Sequence, residues 1–229
     1  MSAEVPTVAL TVEVADRAPA PDVVGAFLDH LDRSQVRSTW FLPGDVDREL
    51  ADRLFFTGHE VAALVQVVAE IPATALQLAG HDVRVLGARV AGCEDTVDAW
   101  SSRELLEVAG SAGLSYLSIP AASVAEGALD GRVLLRERSL FLLAAPTTTS
   151  VLGVDPTTWL QRSQIDVGRV LEHHDVLEIG IDLHAMNRAA SFNAVSETVD
   201  LVSGLQRVER LRSERLDRLL ASMMGDLEG

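Results

Sequence analysis

The chain has no lysine: all 19 of its basic residues are arginine. Chemistry that depends on a lysine ammonium, such as a Schiff base or the phosphate grip of a P-loop, is therefore excluded. With one cysteine, Cys93, no intrachain disulfide can form. No apolar run approaches the ~20 residues needed to cross a bilayer. The segment Met1 to Pro6 has neither the basic region nor the apolar region of a secretory signal. These absences point to a cytoplasmic protein with no membrane association. The arginines are outnumbered by 34 acidic residues, giving a formal net charge of -15. A phosphate backbone is held by a basic stripe, so no nucleic-acid partner is expected. The arginine bias fits a GC-rich genome, and an acid-rich surface also fits a high-salt habitat.

What is present is enough apolar material for a core. The 229 residues are 48% hydrophobic, which suits one domain over residues 1–229 with no linker, repeat or low-complexity tract. Short apolar runs alternate with amphipathic ones. Val8 to Val14 reads as a buried strand. Asp22 caps a helix with Val23, Val24, Phe27, Leu28 and Leu31 on one face. Val83 to Val90, Tyr116 to Ile119 and Val176 to Asp182 read as further strands. Arg132 to Leu135 and Ser139 to Ala144 form a hairpin or two more strands. Helices are expected over Pro72 to Ala79, from Ser101 or Ser102 to Ala109, from Asp155 to about His173, and over 195–207 and 210–224.

The most informative stretch is Ser38 to Glu60. Ser38-Thr39-Trp40-Phe41 is β-prone and is stopped by Pro43-Gly44. Asp45 is placed to cap a helix with Asp47 and Glu49 in its first turn, and Gly58 ends that helix as a C′ glycine. His59 to Leu64 then reads as the next strand. Strand, helix, strand at this spacing is a βαβ unit, so the sheet is expected to be parallel, and the whole pattern fits a (β/α) barrel.

In such barrels the chemistry sits at the C-terminal ends of the strands. That rule selects Glu13 and Asp16 after the first strand, His59 to Leu64 after the third, Arg89 and Cys93 after the fourth, and Asp182 and His184 after the last. Glu beside Arg and His is a workable acid–base set, because burial and partner charges tune both groups. Cys93 near an imidazole offers a nucleophile. Each has a plainer reading. Glu13 and Arg89 form a buried structural pair, His59 is a hydrogen-bonded strand residue, and Cys93 is a small core residue.

Thr39-Trp40-Phe41-Leu42-Pro43-Gly44 followed by Gly58-His59-Glu60-Val61 resembles the polysaccharide deacetylase (NodB-homology) family. Val8-Ala9-Leu10-Thr11 and Leu183-His184 extend the likeness. The resemblance implies a distorted (β/α) barrel of seven or eight strands. It implies hydrolysis of an N-acetyl amide at a divalent metal, but the matching ligand positions are Val14, Leu64 and Val68, none of them a donor. No metal and no cofactor are therefore expected. The family's base position holds Glu13, its base-orienting arginine is matched by Arg89, and its general-acid motif by Leu183-His184. A branch resembling allantoinase carries Glu in the first motif. The expected catalytic set is thus Glu13, Arg89 and His184, with Asp16, His59, Cys93 and Asp182 as substrate contacts. Two outcomes follow: a metal-independent hydrolase of a C–N or ester bond in a small molecule or sugar, or an inactive barrel that binds a ligand or protein. The expected partner is a small-molecule or carbohydrate ligand, with a homo-oligomer plausible through the C-terminal helices.

Overall fold

Every second residue of the first strand, β1 (Thr7–Glu13), faces one of two cores. Val8, Leu10 and Val12 pack outward against helices, while Ala9 points inward. This is the two-residue period of a strand buried on both faces, and it puts Thr11 and Glu13 on the same inner side as Ala9. The computed structural model describes residues 5–14, 21–91, 100–119, 133–137, 140–144, 155–173 and 175–225.

The other principal strands are β2 (Ser38–Leu42), β3 (Glu60–Val65), β4 (Gly87–Val90), β5 (Tyr116–Ile119), β6 (Val133–Glu137), β7 (Leu140–Ala144) and β8 (Val176–Asp182). They form one curled sheet in the order β6-β7-β5-β4-β3-β2-β1-β8. All pairings along this path are parallel except the β6–β7 hairpin. The ends, β6 and β8, are not hydrogen-bonded to each other. The result is an α/β barrel, as the strand–helix alternation predicts, in the distorted form that the resemblance implies. Among the described residues, the α-helices before the C-terminal segment are α1 (Pro21–Ser34), α2 (Arg48–Phe56), α3 (Ile71–Ala79), α4 (Ser102–Ser111), α5 (Pro156–His173) and α6 (Ala189–Arg207). No helix among the described residues is long and apolar enough to cross a membrane.

Local signals explain most boundaries. After α2 the chain leaves through Gly58 at φ +84°. The Gly58 N–H donates to Phe55 O (3.1 Å) and the His59 N–H to Leu54 O (2.9 Å), the paired bonds of a glycine-terminated helix. The cap at the other end is Asp47, whose Oδ1 accepts from the Glu49 N–H (2.9 Å). It is not Asp45, because the turn after Pro43 delays the helix by two residues. Strand β4 is shorter than its apolar run. Val83 to Leu86 precede the first residues for which β3 and β5 offer partners, namely Ala88 and Gly87.

The C-terminal segment departs from a continuous amphipathic helix over 210–224. Arg212–Ser213 forms a two-residue strand, β9, beside Thr7 and Val8 of β1. Helix α7 (Leu216–Gly225) begins after it and passes beneath the sheet. Leu216, Leu219 and Leu220 enter the inner core with Ala9, Phe41, Ala62, Leu64, Tyr116, Phe141 and Leu143. The barrel thus has a floor at the N-terminal ends of its strands.

Candidate functional site

Alternation along β1, β4, β5 and β8 points Thr11, Glu13, Arg89, Ser118 and Glu178 into the barrel. Arg89 is fully buried, and its guanidinium is held from four other strands. Its Nη1 donates to Glu13 Oε1 (2.8 Å) and to Thr11 Oγ1 (3.4 Å). Its Nε donates to Ser118 Oγ (3.2 Å). Its Nη2 donates to Glu178 Oε1, which also accepts from Thr11 Oγ1 (2.9 Å). The plane lies over the Phe41 ring, 4.0 Å from its centre. Burial works against the charge, but Glu178 and Glu13 outweigh it, and Arg89 holds its proton more firmly than usual. An arginine fixed by this many partners presents one orientation to Glu13.

Glu13 is the member of this network that reaches solvent, with its side chain 19% exposed. Its register partner on β8 is Asp182. Burial, and then the neighbouring Glu13, push the Asp182 carboxyl above its ordinary range, while the His184 N–H bonded to it works the other way. Asp182 Oδ1 accepts that N–H at 2.9 Å and caps the short 3-10 turn Leu183–Asn187. Glu13 thus joins Arg89 of β4 to Asp182 at the end of β8, and His184 lies in the 3-10 turn that follows.

His59 is elsewhere. It precedes β3, at the N-terminal end of the strands, because the Gly58 turn occupies the residues before Glu60. Its Nδ1 accepts from the Ser38 N–H (3.2 Å), and the Ser38 hydroxyl, 2.9 Å away, also accepts from Trp40 Nε1 (2.9 Å). Burial lowers its pKa to about 4, so it is a neutral ring pinning two strands, with Nε2 3.5 Å from Asp32. It contributes no substrate contact at the mouth. Asp16 and Cys93 lie outside the described residues.

Glu178 was absent from the sequence-derived set. The signal was there: it is an acid inside a buried strand, and it shares the inward parity of Gly180 and Asp182. Glu60 lay within the selected run His59 to Leu64 but was given no role of its own. This inner residue of β3 is 4% exposed. Its Oε1 accepts from Tyr116 Oη (2.9 Å) and its Oε2 from Thr39 Oγ1 (2.6 Å). Tyr116 in turn lies against Gly87, where an added Cβ would come within 1.8 Å of the ring.

The residues at the positions where the resembled family holds its divalent metal do not fit one. Val14 and Val68 belong to the outer core and Leu64 to the inner core. Among the described residues no group of three or more His, Cys, Asp or Glu is arranged to hold a metal ion.

No family model and no curated protein matches the sequence. The fold matches solved structures along nearly the whole chain. A structure described as a polysaccharide deacetylase from Mycobacterium smegmatis aligns with a TM-score of 0.69 at 14% identity, covering 99% of this chain and 93% of its own. Another so described, from Pseudomonas aeruginosa PAO1, aligns at 0.68 and 12% identity over 95% and 91%. The PuuE allantoinase aligns at 0.66 and 10% identity over 96% and 91%. At these identities the common property is the fold, a barrel that deacetylases and an allantoinase both adopt.

Proposed function

We propose that this barrel is a hydrolase that cleaves a C–N or ester bond of a small molecule or sugar without a metal at the family's usual site. The observation that carries this reading is Glu13, fixed by the buried Arg89 at 2.8 Å and still reaching solvent beside Asp182. In the proposed step Glu13 takes a proton from water as the water oxygen adds to the substrate carbonyl carbon. His184 then passes a proton to the departing nitrogen or oxygen, so the leaving group exits neutral. Arg89 does not touch substrate; it fixes the carboxylate that does. Fold neighbours described as deacetylases and an allantoinase support the reaction class by analogy.

A second reading has its own support. Leu64, Phe41 and Leu143 fill the inner core, and an apolar interior suits a protein that binds a ligand or a partner and performs no chemistry. One experiment separates the two. Chelator-treated protein is assayed on N-acetyl amino sugars, small amides, cyclic imides and esters, beside Glu13→Gln and His184→Ala. Turnover by the parent that both variants lose supports the hydrolase. Ligand-induced thermal shifts with no turnover on any class support the binding module.

A further inference from the structure

The floor of the barrel is joined to the sheet in an unusual way. Helix α7 begins against β2 and β3, and its first N–H groups need acceptors. The Leu216 N–H donates to Thr39 Oγ1 (2.8 Å) and the Asp217 N–H to Glu60 Oε2 (3.0 Å). The Thr39 hydroxyl in turn donates to the same Glu60 oxygen. One buried carboxylate therefore gathers the helix start, the Thr39 hydroxyl and the Tyr116 hydroxyl. Those three hydrogen bonds favour the ionised form of the carboxylate, but burial outweighs them.

Its charge, however, has no cation. Among the described residues no basic side chain pairs with Glu60. Asp217, from the α7 side, is a second carboxylate at the same joint, and Arg215 spends its fork on Asp217 (3.0 and 2.9 Å) while Nη1 reaches Gly58 O (3.4 Å). From β5 comes Tyr116, whose own ionisation is pushed well upward by burial and by Glu60. Arg89 on β4 is engaged with Glu13 and Glu178. His59, next in the chain, faces Ser38 and Asp32.

We propose that α7 is a detachable floor of the barrel, latched by Glu60, and that the latch loosens as the pH rises. Docking buries an anion beside a like charge; undocking returns it to water and takes Asp217 away. Protonation therefore favours the docked helix. Burial, then Asp217, raises the Glu60 pKa from 4.5 to about 7. A raised carboxylate gives stability that is complete below its solvent-exposed value and is lost as pH rises through the docked value. The window is therefore about pH 4.5 to 7. Detachment would also withdraw Leu216, Leu219 and Leu220 from beneath Phe41, the ring on which Arg89 lies. The latch thus reaches the mouth, whichever function the mouth performs.

Hydrogen exchange of the full-length protein tests this, with rates corrected for the intrinsic effect of pH. The opening constant of α7, relative to that of α1 (Pro21–Ser34), should rise roughly 100-fold between pH 5 and pH 8. In Glu60→Gln the rise should vanish. Should that variant not fold, Asp217→Asn carries the test: removing the like charge should shrink the rise severalfold. A pH-independent α7 in the parent, or an undiminished rise in the variant that is measured, overturns the proposal.

Discussion

Glu178 and Glu60 both face the barrel interior and are about equally buried, at 5% and 4% exposure. Their surroundings differ. Glu178 ends on the Arg89 guanidinium, which also holds Glu13, and that network opens at the mouth. Glu60 ends on two hydroxyls and a helix N–H, with Asp217 close by, and it closes the floor. A buried charge answered by an opposite charge gives fixed geometry over a wide pH range. One answered by dipoles alone remains sensitive to protons. The same barrel therefore has one rigid end, suited to orienting a base, and one end whose attachment follows pH.

The comparison breaks most visibly at Arg89. Arg89→Met should leave Glu13 and the buried Glu178 uncompensated and cost about 3–5 kcal/mol in urea unfolding. A loss under about 1 kcal/mol would mean that the two ends are not held differently after all. Glu178→Gln should cost less, about 1–3 kcal/mol, since the Oε1 acceptor for Thr11 survives and Arg89 keeps Glu13. Its thermal midpoint should keep the parent's dependence on pH, because Glu60 is untouched.

At the floor, Gly87→Ala should force Tyr116 off its seat and away from Glu60, for about 1–3 kcal/mol. Because the floor rests on this contact, the loss should appear with weakened α7 protection, read by hydrogen exchange. Glu60→Gln should act mainly through pH. The shift from 4.5 to about 7 corresponds to roughly 3 kcal/mol of stability that the parent loses between pH 4.5 and 7 and the variant keeps. The net charge of -15 adds a general alkaline destabilisation common to both proteins. The difference between their unfolding free energies across pH isolates the Glu60 contribution, and a flat difference would remove the contrast with Glu178.

The sequence exposed the mouth better than the floor, for physical reasons. Pro43-Gly44 and Gly58 carry turn chemistry that few other arrangements use, so the β2–α2–β3 unit could be read directly. Glu13 and Arg89 stood out as charges in apolar strands, where a charge demands a partner. Glu178 obeyed the same rule but lay in the middle of its strand, outside the strand-end positions the barrel rule searches. The floor had no such marker. Amphipathic spacing over 210–224 states that one face is buried, not whether it is buried outside a barrel or inside one. The brief pairing of Arg212–Ser213 with β1 that turns the chain inward is too short to show as a periodicity. His59 misled because the glycine before it fixes where the helix ends but does not say at which end of the strand the imidazole stays.

The smallest stability effect is expected at Asp182, and it bears most directly on the mouth. Asp182→Asn keeps an oxygen to accept the His184 N–H, so the turn Leu183–Asn187 should persist. The Asp182 carboxyl is raised by burial and by Glu13, so its charge detracts from stability at neutral pH and costs nothing when it is protonated. The variant should therefore match the parent in acid and exceed it slightly near neutrality, by under about 1 kcal/mol, in urea unfolding at several pH values. If instead stability falls by several kcal/mol at every pH, Asp182 is an anchor of the fold. Among the described residues, Glu13 would then be the mouth carboxylate left for proton transfer. If stability holds while a turnover found by the substrate screen is lost, the acid pair belongs to the chemistry. The rigid end of the barrel would then be the working one.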